Sequence, residues 1–367
     1  MTTGSAGGPA GRGAAAQAGP GFSDRARMMR LLSGPWLAQS CYAVTKLGIP
    51  DLLEDGPRAA AGLAAESGAH PRALHRILRA LAAAGLFEEP TPGVFGLTPL
   101  SRLLTSAATR SSRPAAIMFG EEVFRSFAEI EHTLRTGNPA FEKVYGQPFY
   151  DYLAGHPEAA QTFTAAMGRA PVPQALAACD LTGARTVADI GGGNGGLLAS
   201  VLRANPDARG VLLDLPEAVR QARDGLTAAG VADRVDFVEG SFFDHVPPGA
   251  DTYILARVLH NWDDANAAAL LCRVRAAMAP GSRLLVFEQL LEPADAHPGA
   301  GGHGSPRAHV TDLLMLLMLP GCDRTEAEYR GLLAAAGLDA VAVRPPPLRA
   351  PGAESVLEAV PAPARPR

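Results

Sequence analysis

Between Arg25 and Leu47, apolar residues recur every third or fourth position (Met28, Leu31, Leu32, Leu37, Ala38, Val44, Leu47). That period predicts an amphipathic helix, and Gly48-Ile49-Pro50 ends it. Two shorter helical runs follow, Ala60–Glu66 and Pro71–Gly85. Pro71 suits a first helical position and Gly85 a C-terminal cap. Leu86–Glu89, a Pro/Gly turn and Val94–Leu97 then read as a small hairpin. Two helices at a short turn followed by a hairpin form a winged-helix arrangement.

From about Ser112 to Ala178 the pattern is again helical, interrupted at Gly137-Asn138-Pro139 and near Gly146–Pro148. This stretch is rich in aromatics, among them Phe119, Tyr150 and Phe163. From Arg185 the period changes. Five β-rich runs (Thr186–Ile190, Gly210–Leu213, Val235–Val238, Thr252–Leu255, Arg283–Phe287) alternate with helical stretches such as Asp263–Met278. That alternation predicts an α/β fold with a doubly wound, mostly parallel sheet. Thr325-Glu326-Ala327-Glu328 reads as a capping box that opens a helix to Ala336. Ala340–Val343 and Val356–Val360 complete the chain as an edge hairpin.

The expected organisation is a disordered tail over 1–20, a winged-helix domain over 21–108, a helical connecting segment over 109–178 and a catalytic domain over 179–362. Net charge is −4, which argues against nucleic acid or an anionic membrane as a general partner. Four dispersed cysteines form no CxxC pair, so neither a disulfide framework nor a zinc site is expected, and a cytoplasmic setting is. No apolar run reaches membrane-spanning length, and residues 1–20 lack the pattern of a signal peptide.

The first predicted strand runs into Asp189-Ile190-Gly191-Gly192-Gly193-Asn194-Gly195-Gly196. Glycines between a strand and a helix let backbone turn tightly and approach a ligand beside a helix N-terminus. Asp214 ends the next strand, where a carboxylate accepts both hydroxyls of a ribose. Together they favour a nucleoside-containing cofactor over a merely tight turn, without separating a dinucleotide from S-adenosylmethionine.

The ends of the following strands carry Glu239-Gly240-Ser241-Phe242-Phe243-Asp244 and Leu259-His260-Asn261-Trp262-Asp263-Asp264, and Asp323-Arg324-Thr325 lies further on. With these segments the chain resembles, from about Phe22 to Val360, the plant and bacterial small-molecule O-methyltransferases, which include caffeate-type and anthracycline-type enzymes. The resemblance implies a Rossmann-like C-terminal domain that binds S-adenosyl-L-methionine and an N-terminal winged-helix domain that forms a homodimer. It implies cofactor contacts at the glycine loop (Asp189, Gly191, Gly193), at Asp214 and Leu215, and at Ser241 and Phe242, where Ser241 replaces the family's aspartate. Arg257 either meets the cofactor's carboxylate end or serves a structural ion pair. His260 is the implied general base, with Glu288 and Asp323 as the acids that orient it. Phe119, Phe163, Met167 and Met315 are candidate pocket walls, with core packing as the alternative. The expected reaction methylates a hydroxyl of a small aromatic natural product, and no metal is expected.

Two other readings stand beside this one. The same fold and cofactor also host non-methylating hydroxylase, decarboxylase or pericyclase chemistry in some members of the family. A winged helix with Arg72, His75, Arg76 and Arg79 on one helix also suggests a DNA-binding regulator, although a solvated face explains those residues equally well. The loop Glu292–His309 either covers the site or is only a flexible connection.

Overall fold

A computed structural model describes residues 24–109, 111–167, 174–292, 308–346 and 353–363. The tail expected over 1–20 and most of the 292–309 loop lie outside the described residues.

Helix α1 (Asp24–Lys46) contains Pro35 and buries only its end, at Val44 and Thr45. Leu31 and Trp36 are 74% and 70% exposed, so the apolar stripe of α1 is not covered by the described residues. Helices α2 (Ala60–Ser67) and α3 (Pro71–Ala83) pack with the hairpin Phe87–Thr91 and Val94–Leu97 around Leu63, Leu78 and Phe95. A two-residue strand, Arg58–Ala59, adds a third rung to that hairpin. These elements follow the winged-helix expectation.

The connecting helices are more broken than the sequence pattern suggested. One ends at Phe127, before Ala128 and Glu129. Another ends at Gly155, and His156 takes an extended conformation (φ −131°, ψ 82°) before Pro157, because proline disfavours a helical residue ahead of it. Helix α4 (Pro157–Met167) then runs toward the catalytic half. Tyr42 and Lys46 of α1 both bond Glu121, tying α1 to these helices.

The sheet has seven strands: β1 (Thr186–Ile190), β2 (Arg209–Asp214), β3 (Val235–Glu239), β4 (Thr252–Ala256), β5 (Arg283–Glu288), β6 (Leu338–Arg344) and β7 (Ser355–Pro361). Their order is 3-2-1-4-5-7-6, with β7 antiparallel to both neighbours and the remaining pairs parallel. Side chains alternate between two cores, as a strand's two-residue period requires. Val187, Leu212, Ile254 and Leu285 enter one core; Ala188, Leu213, Tyr253 and Leu284 enter the other. Both faces are thus covered by helices, which is why these strands read as continuous apolar runs. Helices α5 (Gly196–Ala204), α6 (Pro216–Ala228), α7 (Asp264–Ala277), α8 (Ala308–Met318) and α9 (Glu326–Ala335) complete the layers. Thr325 and Glu328 form the expected capping box at α9. Strand order reverses between β1 and β4, and their carboxyl ends open the crevice in which such sheets bind ligands.

Candidate functional site

One wall of the crevice is the glycine loop after β1. Gly191 has φ +72°, and a Cβ there would meet Val258 Cγ2 at 2.9 Å and Phe242 Cε1 at 3.6 Å, so the loop lies against the ends of β3 and β4 only without a side chain. Gly193 has φ +56° and open space where a Cβ would stand. Its N–H donates to Asp214 Oδ2 at 2.7 Å, while Leu215 N–H donates to Oδ1 at 2.7 Å. Each carboxylate oxygen keeps lone-pair capacity for a further donor. Burial pushes the Asp214 carboxyl up, against those two backbone donors. Leu215 is 40% exposed at the start of α6.

Asp189, expected among the cofactor contacts, is packed against the glycine loop. It is 1% exposed, and a Cβ on Gly192 would lie 2.9 Å from its carboxyl, which places it against the loop as a prop. Burial, then the neighbouring Asp214 charge, pushes its carboxyl up to about 7. Ser241 Oγ accepts the Phe243 N–H at 3.2 Å, so part of its acceptor capacity is used in its own turn. Phe242 meets Trp262 edge-to-face at 6.0 Å, and Trp262 stacks on Tyr150 at 5.7 Å and 20°. The sequence showed Tyr150 only as one aromatic among many. Its helical neighbours gave no signal that it would reach the catalytic half.

The opposite wall holds the titratable groups. Glu288 ends β5 and is fully buried. Its Oε1 accepts the backbone N–H groups of Val258 (3.1 Å), Leu259 (2.9 Å) and His260 (3.3 Å). It thus caps the short turn Leu259–Asn261 from the adjacent strand, satisfying donors that a turn's start leaves free. Its Oε2 lies 2.8 Å from His260 Nδ1. Oε2 is buried and forms no aligned hydrogen bond, so the contact is a close approach of carboxylate to imidazole. Asp323 Oδ1 lies 3.6 Å from the same nitrogen. Burial raises the Asp323 carboxyl to about 6, with His260 opposing and Glu288 adding to the rise. The geometry therefore ranks the two acids: Glu288 is in contact, and Asp323 stands off.

The sequence showed no metal-spaced cluster, yet His260, Glu288 and Asp323 bring three ligand atoms within 4.8 Å of one another. The expectation is corrected to that extent, since residues 28 and 63 positions away converge only in three dimensions.

Arg257 is the described non-glycine residue with a left-handed backbone (φ 57°). Its side chain pairs with Glu354 at 3.7 Å, an ion pair of the kind the sequence offered beside a cofactor contact. No sequence signal marked Glu354; it lies beside Glu288 because Ser355 pairs with Glu288 across β7 and β5. Of the four pocket candidates, Phe163 and Met315 share one apolar cluster, whereas Phe119 and Met167 are 49% and 37% exposed.

The glycine turn, the Asp214 carboxylate with spare acceptor capacity and the aromatic wall at Phe242 fit the sugar and base of a nucleoside cofactor.

Comparison with known proteins agrees. Residues 29–107 match the O-methyltransferase dimerisation domain and residues 127–339 the O-methyltransferase domain. The chain is 42% identical over 313 residues to a phenazine O-methyltransferase of Lysobacter antibioticus, covering 84% of this chain and 89% of that one. It is 40% identical over 312 residues to an 8-amino-8-demethylriboflavin N,N-dimethyltransferase of Streptomyces davaonensis, covering 83% and 87%. Among solved structures it superposes, with a TM-score of 0.75, on an O-methyltransferase of neocarzinostatin biosynthesis in complex with S-adenosylmethionine and 2-hydroxy-5-methyl naphthoic acid. That pair is 33% identical and spans 88% of this chain and 95% of the other. The chain belongs to the O-methyltransferase family and is an S-adenosylmethionine-dependent methyltransferase.

Proposed function

We propose that the enzyme methylates a phenolic hydroxyl of a small aromatic natural product, with His260 as general base. The observation that carries this reading is the 2.8 Å approach of a buried carboxylate, Glu288, to Nδ1 of a histidine at the carboxyl end of β4, beside the glycine crevice. With Nδ1 turned to Glu288 and Asp323, Nε2 is the nitrogen left to take a proton from an acceptor. Asp214, the glycine loop, Leu215, Ser241 and Phe242 would hold S-adenosylmethionine. When bound, that group supplies a methyl on a positively charged sulfur.

A phenol must lose its proton as its oxygen attacks the methyl, and a positioned histidine can take it. Glu288 stabilises the imidazolium that results, and Asp323, further away, supports the ring. Phe163, Met315 and the Tyr150–Trp262 stack supply flat apolar surface for an aromatic acceptor. Two relatives are named for methylating nitrogen; the buried acid–histidine pair, able to take a hydroxyl proton, supports oxygen here. The match of 29–107 to a dimerisation domain, with the uncovered apolar stripe of α1, supports a homodimer.

The test is acceptor-dependent formation of S-adenosylhomocysteine from a panel of phenols. The expected result is turnover by the natural chain and a ~1,000-fold loss in His260→Ala, with cofactor affinity by calorimetry unchanged. Undiminished turnover in His260→Ala would remove the base from the scheme.

A further inference from the structure

Residues 321–324 bring the catalytic turn more than the Asp323 carboxylate. Two of them press against the backbone that carries His260. Arg324 is only 3% exposed, and its guanidinium lies beneath the Leu259–Trp262 turn. Nη1 donates to the Leu259 carbonyl at 3.2 Å and Nη2 to the Trp262 carbonyl at 2.8 Å. These carbonyls flank His260 on either side. Nε donates to Asp264 Oδ1 at 2.9 Å, fastening the same fork to the first residue of α7. A buried guanidinium is costly unless its donors are met, and its planar fork fixes the relative position of its acceptors.

Gly321 gives an independent indication. A Cβ at that position would overlap the His260 carbonyl oxygen, the Asn261 carbonyl carbon and the Trp262 nitrogen. All three are backbone atoms, so no side chain can turn aside to make room. The chain therefore lies directly on the catalytic turn, and glycine permits that approach. From this seat Asp323 reaches the imidazole, and its N–H donates to Asp312 Oδ1 of α8 at 2.8 Å. Met315 lies one turn further along that helix.

We infer that Gly321 and Arg324 are positioning residues that clasp the Leu259–Trp262 turn and hold the His260 ring on Glu288 and Asp323. The inference rests on His260 being the base. It adds that the ring's placement depends on Gly321 and Arg324, more than 60 positions away, which do not themselves touch the reacting atoms.

The experiment compares Arg324→Lys, which keeps the charge and loses the fork, with Gly321→Ala. Each is read by kcat, acceptor KM, cofactor Kd and the imidazole ¹⁵N signals of His260 in histidine-labelled protein. A misplacement of the base by about 1 Å should cost about 100-fold in kcat. Acceptor KM and cofactor Kd should move by less than about threefold, and the His260 signals should shift. In Arg324→Ala, added guanidinium should restore part of the lost kcat. Folded Arg324→Lys and Gly321→Ala proteins with kcat near the natural value, or with lost kcat but unmoved His260 signals, would overturn the clasp. If Arg324→Ala does not fold, the lysine variant and Gly321→Ala decide the matter by the same readouts. Loss of turnover in His260→Ala alongside active clasp variants would sink only the clasp. Full turnover in His260→Ala would sink the base assignment on which it rests.

Discussion

The two walls of the crevice are built in opposite ways. The glycine wall is local: one strand, one turn and one carboxylate 21 positions from Gly193 complete it, and backbone N–H groups make its key bonds. The opposite wall, which holds the proposed base, is assembled at long range from His260, Glu288 and the 321–324 segment. Its polar groups are nearly all buried and answer one another. A locally built site tolerates change elsewhere in the chain. A converging one depends on every segment that reaches it. The comparison thus predicts that substitutions in the first wall move affinity, and substitutions in the second move turnover.

The largest effect should come from Glu288→Gln. An amide cannot offset the imidazolium charge, and kcat should fall about 100-fold or more while cofactor Kd holds. A change confined to Kd would erase the distinction between the walls. Next, Asp214→Asn should weaken the cofactor about 10–100-fold, the usual cost of losing charge-assisted bonds, with kcat near normal at saturation. Competition calorimetry with S-adenosylhomocysteine reads it.

The smallest effect on turnover belongs to Asp189→Asn, whose signature lies in stability. The folded carboxyl keeps its proton up to about 7, whereas the unfolded one releases it near ~3.9. The folded state therefore binds more protons between those values. The stability this group contributes is fully present below the lower value and is lost as pH rises toward 7. The asparagine variant escapes that loss. Its advantage in Tm should be small at pH 5 and widen by ~2–4 °C or more by pH 8 in thermal melts. An advantage that shrank with pH would show that Asp189 is held ionised.

The same contrast explains what could be read from the sequence. The seven strands and the glycine loop are periodic or contiguous signals, and they lie where the pattern placed them. Glu288 and Asp323 were reachable through family resemblance, and the shorter side chain of Asp323 pointed to its lesser reach; the distances themselves depend on how β5 and the 321–324 segment approach the ring. The sequence left Arg257 between a cofactor contact and an ion pair. Its partner, Glu354, is brought alongside only by the pairing of β7 with β5. Asp189 was marked by its place in the glycine motif, whereas its burial against Gly192 was not. Tyr150 carried no periodic mark that separated it from its aromatic neighbours.

The most direct measurement is the structure of the enzyme with S-adenosylhomocysteine and a turned-over phenol. The account predicts the phenolic oxygen within hydrogen-bond reach of His260 Nε2, about 2.6–3.2 Å, on the side facing the cofactor sulfur. An acceptor oxygen seated away from that nitrogen, with another side chain at bonding distance, would contradict it.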